Sequence, residues 1–183
     1  GLHLEGPYFN PKQAGAQIPE WIKAPVKEEY EPLLEKWPCL KRWDEAPELE
    51  GSHEFIKCCR EHGVLPSIGH TRAKYEEVAA ANELGMTHAT HFYNAMPVVY
   101  KNREFKEMGT VESIFALENM TVEMIADGIH VPPMMLRMIY QIKGVERTAL
   151  ITDALACTAS KDDTAFDPRV VLEDGVCKLA DRS

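Results

Sequence analysis

The chain has 183 residues, enough for one core of ordinary size, and its 45% apolar and 27% charged residues describe a globular protein rather than a disordered or collagen-like one. A formal net charge of -9 argues against a nucleic-acid surface, which shows as clustered Lys and Arg. No apolar run approaches the roughly 20 residues of a membrane-spanning helix, and no charged-then-apolar leader opens the sequence; a cytoplasmic protein is expected, with neither nucleic acid nor membrane as partner.

In chain order, Leu2-His3-Leu4 is an apolar run that delivers Glu5, followed by Gly6-Pro7. Because the sequence opens on Gly1 directly in a core strand, we expect an N-terminal part of the fold to be absent. The stretch from Gly15 to Lys41 carries Pro19, Pro25, Pro32 and Pro38 and reads as a long loop with one short helix. A less regular strand over Cys39 to Trp43 ends in Asp44-Glu45-Ala46-Pro47.

A repeated grammar follows: a helix stops at Gly, a short apolar run comes next, and the run ends on an ionisable residue. Ser52 is placed to cap a helix bearing Phe55, Ile56 and Cys59; Gly63 stops it and Val64 to Gly69 leads to His70. Thr71 is placed to cap a helix bearing Tyr75, Val78, Ala79 and Asn82; Gly85 ends it and Met86 to Thr90 leads to His91. Val122 to Ala126 ends at Asp127-Gly128-Ile129-His130. Pro132-Pro133 start a helix with an apolar stripe of Met135, Leu136, Ile139, Tyr140 and Ile142, while Met134 and Met138 are expected to pack. Gly144 stops it, and Thr148 to Thr152 delivers Asp153.

Six candidate strands alternating with helices imply βαβ units and a parallel sheet whose ligands gather at the carboxyl ends of the strands. A closed (β/α)₈ barrel needs eight strands and typically about 250 residues, so the expected fold class is α/β, an incomplete TIM-like barrel over residues 1–160. Over 165–183, apolar runs flanking Asp174-Gly175 read as a β-hairpin outside that grammar. The five cysteines, an odd number without C-x-x-C spacing, are expected to be small buried residues in a reducing compartment.

Glu5, His70 and His91 each follow an apolar run at the same rim of such a sheet. Two imidazoles and a carboxylate suit a divalent metal with a position open for water, whose pKa falls toward 7 in such a site. For one histidine alone a hydrogen-bonded strand end is the commoner outcome; three residues at equivalent rim positions favour a metal. Asp153 on the same rim suits a general base, with helix capping as the bland alternative. His130 is placed to donate to a hydroxyl or phosphate, with metal ligation or support of a ligand also open. His3 and His88 are read as supporting or structural residues, Asn94 and the turn at Ala95-Met96-Pro97 as an anion contact, and Arg103 as a phosphate partner or a solvated cation.

The motifs Leu2-His3-Leu4-Glu5-Gly6-Pro7, Gly69-His70-Thr71, Thr90-His91-Phe92-Tyr93-Asn94-Ala95-Met96, Ala126-Asp127-Gly128-Ile129-His130 and Thr152-Asp153-Ala154, in that order, resemble the N-acetylglucosamine-6-phosphate deacetylases of the amidohydrolase superfamily. The resemblance implies a distorted (β/α)₈ barrel with a small β-sandwich, a homodimer, and hydrolysis of the acetamide of N-acetylglucosamine 6-phosphate in amino-sugar catabolism. It implies one divalent metal, Zn²⁺ or else Fe²⁺, Mn²⁺ or Co²⁺, on Glu5, His70 and His91, with Asp153 as catalytic base and acid. Asn94, the backbone of Ala95 and His130 resemble sugar-phosphate contacts, and Arg103 a phosphate-binding residue serving the neighbouring subunit. Gln17 stands where many members have a His that contacts the acetyl carbonyl; its amide still offers a donor. Two alternatives stand beside this: a deacetylase of N-acetylgalactosamine 6-phosphate, and a truncated, inactive barrel piece.

Overall fold

The computed structural model describes residues 1–155, 158, 167–173 and 176–180. Its elements run β1 (Leu2–Glu5), α1 (Lys27–Lys36), β2 (Leu40–Glu45), α2 (Ser52–Glu61), β3 (Leu65–Ile68), α3 (Tyr75–Glu83), β4 (His88–Ala89) and β5 (Tyr100–Asn102). Then come β6 (Phe105–Glu107), α4 (Thr110–Ala116), β7 (Thr121–Ile125), α5 (Pro133–Lys143), β8 (Thr148–Ile151), β9 (Val170–Glu173) and β10 (Val176–Leu179). The chain divides into two units, Gly1–Ile151 and Thr152–Ser183.

In the first unit the six expected strands form one sheet in the order β1-β2-β3-β4-β7-β8, every neighbouring pair parallel. Side chains along a strand alternate between faces, and here the two faces differ in chemistry. One face meets the helices. Ile68, Ala89, Val122 and Met124 join Val78, Ala81, Ile114 and Ile139 in one apolar cluster. Trp43 and Leu40 join Tyr8, Tyr30, Leu34 and Phe55 in a second, where the Tyr8 and Trp43 rings stack 5.6 Å apart and Trp43 Nε1 donates to the Gly6 carbonyl at 2.8 Å.

The other face is polar. Register sets His3 beside Arg42, Glu5 beside Asp44, Asp44 beside Ser67 and Ser67 beside His88. Arg42 bridges the layer: its guanidinium donates to the Glu123 carboxylate, lies 3.0 Å from His88 Nε2 and donates at 2.7 Å to His3 Nδ1. His3 Nε2 reaches Asp44 Oδ2 at 2.5 Å, and His88 Nδ1 lies 2.7 Å from Thr121 Oγ1. His3 and His88, expected to be supporting or structural, thus lie within this polar layer.

Several local readings are corrected. Ser52 does not cap α2, whose N-cap is Gly51; its hydroxyl donates instead to Glu45, a fully buried carboxyl that burial pushes well up. Thr71 does not cap α3, which starts after Lys74. The proline-rich stretch contributes a ten-residue helix, α1, that tolerates Pro32 because Tyr30 and Leu34, one turn apart, bury its inner face. On α5 only Met135, Leu136, Ile139 and Lys143 pack inward, whereas Met134 (66% exposed), Met138, Tyr140 and Ile142 lie off that face. Cys58 and Cys59 are buried, as expected of small core residues, but Cys39 is exposed.

In the second unit β9 and β10 pair antiparallel, Glu173 opposite Val176. The Asp174-Gly175 turn and Cys157 lie outside the described residues. Among the described residues, no helix is long and apolar enough to cross a membrane.

Candidate metal centre

Glu5 is the last residue of β1, His70 comes two residues after β3, and His91 two residues after β4. The carboxyl ends of β1, β3 and β4, on one rim of the parallel sheet with β2 between the first two, bring these three together although up to 86 positions separate them in sequence. Glu5 Oε1 lies 2.9 Å from His70 Nε2 and 3.1 Å from His91 Nε2, and the two imidazole nitrogens are 3.1 Å apart. Among the described residues this is the one group of three His, Cys, Asp or Glu with mutually adjacent ligand atoms.

The protonation of this trio is set from outside it. His70 Nδ1 lies 2.8 Å from the Gln13 carbonyl, which accepts only if Nδ1 carries the proton. With Nδ1 so engaged, a neutral His70 turns the Nε2 lone pair toward the Glu5 carboxylate and His91 Nε2, and a protonated His70 donates there. Two imidazole nitrogens and a carboxylate oxygen converging at this distance suit a shared cation. Three donors around one tetrahedral ion at about 2.0–2.1 Å would stand about 3.3 Å apart, close to the separations found, so the residues fit a small divalent metal. A backbone carbonyl behind a ligating imidazole is also the usual support in metal sites. Burial raises the Glu5 carboxyl, but hydrogen bonds from His70 and His91 and their charge outweigh it and hold Glu5 well below the usual carboxylate range. The Phe9 ring lies against His70 at 4.3 Å between centroids, and both histidines are buried.

The backbone carries strain here. His70 has φ +47° and His91 φ +26°, left-handed conformations that disfavour a side chain. Asp153, two residues past β8, shares this with φ +50°; it belongs to the second unit and is exposed. Such residues cost of order 1–3 kcal/mol each and persist where surrounding bonds impose them, which makes them pointers to function.

The other expected site residues fall as follows. Gln17 and Glu5 line one cavity of 580 Å³, together with Trp21 and Lys23. Asn94 folds back on the ligand loop, its backbone N–H and its Nδ2 both donating to the His91 carbonyl at 2.9 and 3.1 Å. Ala95, at φ +51°, accepts from Thr71 N through its carbonyl. His130 pairs with Asp127 at 2.7 Å; desolvation raises that aspartate, but the backbone N–H groups of His130 and Ile129 and the His130 ring bring it down to about 2. Arg103 sits in the turn of the β5–β6 hairpin at φ +54°, exposed. The structure thus joins Glu5, His70 and His91 directly and ties Asn94 to them through His91. Sequence reasoning missed Gln13 and Phe9, because a backbone carbonyl and a packing ring leave no motif.

No family model matches the chain. It is 35% identical over 167 residues to N-acetylglucosamine-6-phosphate deacetylase of Bacillus subtilis, covering 88% of this chain and 40% of that protein. It is 33% identical over 176 residues to N-acetylgalactosamine-6-phosphate deacetylase of Shewanella sp., covering 94% of this chain and 43% of that one. The crystal structure of N-acetyl-D-glucosamine-6-phosphate deacetylase from Mycobacterium smegmatis superposes with a TM-score of 0.90 at 35% identity, over 100% of this chain and 48% of that one. A mutant of that protein in complex with N-acetyl-D-glucosamine-6-phosphate gives 0.89 at 34% identity, over 98% of this chain and 47% of that one. The chain thus spans somewhat under half the length of the relatives it matches. Along nearly all of its own length, it is a relative of the N-acetylglucosamine-6-phosphate deacetylases, the family its five motifs resemble.

Proposed function

We propose that this chain carries the metal-binding part of a cytoplasmic enzyme that hydrolyses the acetamide of N-acetyl-D-glucosamine 6-phosphate to D-glucosamine 6-phosphate and acetate. The observation that carries the reading is the convergence of Glu5, His70 and His91 within about 3 Å of one another, with His70 Nδ1 against the Gln13 carbonyl, in a relative of the deacetylases. These three residues would hold one divalent ion, Zn²⁺ or else Fe²⁺, Mn²⁺ or Co²⁺, since two imidazoles and a carboxylate suit them all. Bound there, such an ion supplies Lewis acidity to the acyl carbonyl and to water.

The remaining steps belong to the chain. Asp153 takes a proton from the attacking water and returns it to the amine nitrogen as the C–N bond breaks, so one carboxyl acts as base and then as acid and the products balance as acetate and amine. Gln17 donates its amide N–H to the acetyl oxygen as negative charge develops there. Asn94, the backbone of Ala95 and His130 hold the sugar and phosphate, and Arg103 pairs with the phosphate bound by the neighbouring subunit of a homodimer. In this reading the six-stranded sheet of residues 1–160 belongs to a (β/α)₈ barrel and β9–β10, within 165–183, to a β-sandwich.

A second substrate is favoured by a specific observation: two relatives, 33% and 31% identical, are N-acetylgalactosamine-6-phosphate deacetylases. Acetate release from both epimers by the zinc-loaded chain tests the proposal. The expected result is turnover with the glucosamine form preferred, abolished in Asp153→Asn with the metal still bound. Equal or higher turnover of the galactosamine form overturns the substrate, and bound metal with no acetate from either epimer supports the alternative of a truncated, inactive barrel piece.

A further inference from the structure

His70 must hold a left-handed backbone at a position where glycine would be at ease, so something has to fix the chain on both sides of it. On one side, Asn10 N donates to the His70 carbonyl at 2.9 Å. On the other, Thr71 N donates to the Ala95 carbonyl at 3.1 Å. Both flanking residues converge on a single carboxylate, that of Glu48, in the loop after β2. Glu48 Oε1 accepts from Asn10 Nδ2 at 2.9 Å and from Arg72 N at 2.6 Å, and Glu48 Oε2 accepts from Thr71 Oγ1 at 2.5 Å. Thr71 is fully buried, and its Oγ1 accepts in turn from Ala73 N at 2.9 Å. Three loops, those following β1, β2 and β3, are therefore joined at one charged acceptor, and hydrogen bonds to a charged group are roughly twice as strong as neutral ones.

We propose that Glu48 is a positioning residue for the metal centre: by binding Asn10, Thr71 and Arg72 it imposes the His70 backbone that aims Nε2 at Glu5 and His91. The proposal rests on the metal-centre reading. Glu48 acts on His70 through the residues that hold its backbone, Asn10 on one side and Thr71 and Arg72 on the other. Where a residue holds a ligand in this way, its loss typically weakens metal affinity by about 10–100-fold. Glutamine at this position keeps the Oε1 acceptor for Asn10 and Arg72, and its amide donates to Thr71 Oγ1, so the conservative change retains most of the clamp.

Zinc affinity measured by chelator competition, beside the melting temperature of the metal-free chain, tests this. Glu48→Ala should weaken zinc binding at least about tenfold, Glu48→Gln should stay close to wild type, and the metal-free melting temperatures should differ far less than the affinities. Wild-type zinc affinity in Glu48→Ala overturns the proposal alone. A loss of affinity in Glu48→Ala and Glu48→Gln alike that merely tracks lost thermal stability also overturns it. If Glu48→Ala does not fold, Asn10→Asp sets a second carboxylate against Glu48 while keeping the side-chain oxygen that Lys12 N binds; weakened zinc binding there supports the clamp, and unchanged binding overturns it. A wild-type chain that takes up no zinc overturns the metal centre itself, and this proposal with it.

Discussion

Glu123 gives the sharpest quantitative test of the polar layer. Its side chain is only 7% exposed; it accepts from the Arg42 guanidinium and, at 3.2 Å, from Thr90 Oγ1, and faces His88 Nε2 at 3.5 Å. Burial raises its carboxyl, but the hydrogen bonds from His88 and Arg42 and their charges outweigh it and hold it down at about 2, against 4.5 for a free glutamate. At about 1.36 kcal/mol per unit, that difference corresponds to about 3 kcal/mol of stability. Glu123→Gln keeps the shape and an oxygen for Arg42 but removes the charge, so near pH 7 it should lower stability by about 3 kcal/mol. The sign with pH follows from the depressed folded value. The carboxylate contribution is fully present above about pH 5 and is lost as pH falls through 4.5 toward about 2, whereas the variant has no carboxyl there to titrate. The gap between the two proteins should be flat from about pH 7 to 5 and then close. Urea unfolding read by the fluorescence of buried Trp43 measures it. A gap below about 1 kcal/mol at neutral pH, or one unchanged at pH 3, would refute the reasoning.

Lys143, 2% exposed, donates to the carbonyls of Ile114 and Leu117 at 2.7 and 3.0 Å, the end of α4, and burial with the nearby Arg147 charge pulls it down to about 8. Between about pH 8 and 10.5 the unfolded chain holds a proton that the folded chain does not, so wild-type stability should gain relative to Lys143→Met across that window; parallel melting curves check it, and identical pH dependence would refute it. Gly109 precedes α4 with its Cα against the Pro97 carbonyl, where an added Cβ would stand 2.1 Å from the oxygen. Backbone on both sides leaves no flexible atom to yield, so Gly109→Ala should cost about 1–3 kcal/mol or more in urea unfolding, and a neutral result would contradict the packing.

How much of this was legible in the sequence differs by the range of the interaction. The six strands and their rim residues were readable because apolar runs ending on Glu5, His70 and His91 are local patterns, and parallel topology brings their ends together without further information. The caps were misread because Ser52 and Thr71 have the right local signature but meet carboxylates, Glu45 at the end of β2 and Glu48 in the loop after it, that compete for the hydroxyl. The β5–β6 hairpin was invisible. Its turn holds no glycine, and the left-handed position falls to Arg103 itself. Nor does any local pattern reveal that Arg42 binds Glu123 across 81 positions, since each reads as an ordinary polar residue in a half-buried strand.

The long-range layer and the site are nevertheless one construction. Glu123 binds Thr90 through its carboxylate, and its own carbonyl accepts from Phe92 N at 2.8 Å. Thr90 and Phe92 flank His91, the second left-handed histidine, as Asn10 and Thr71 hold His70 from either side. Each left-handed histidine is thus flanked by residues bound from a different strand or loop, Glu48 beside His70 and Glu123, through both its carboxylate and its backbone carbonyl, beside His91. Strain of order 1–3 kcal/mol per residue is small beside what such charged hydrogen bonds contribute when several converge. The polar face of the sheet is thereby continuous with the loops that carry the two imidazoles, so a change at Glu123 reaches His91 through Thr90 and Phe92.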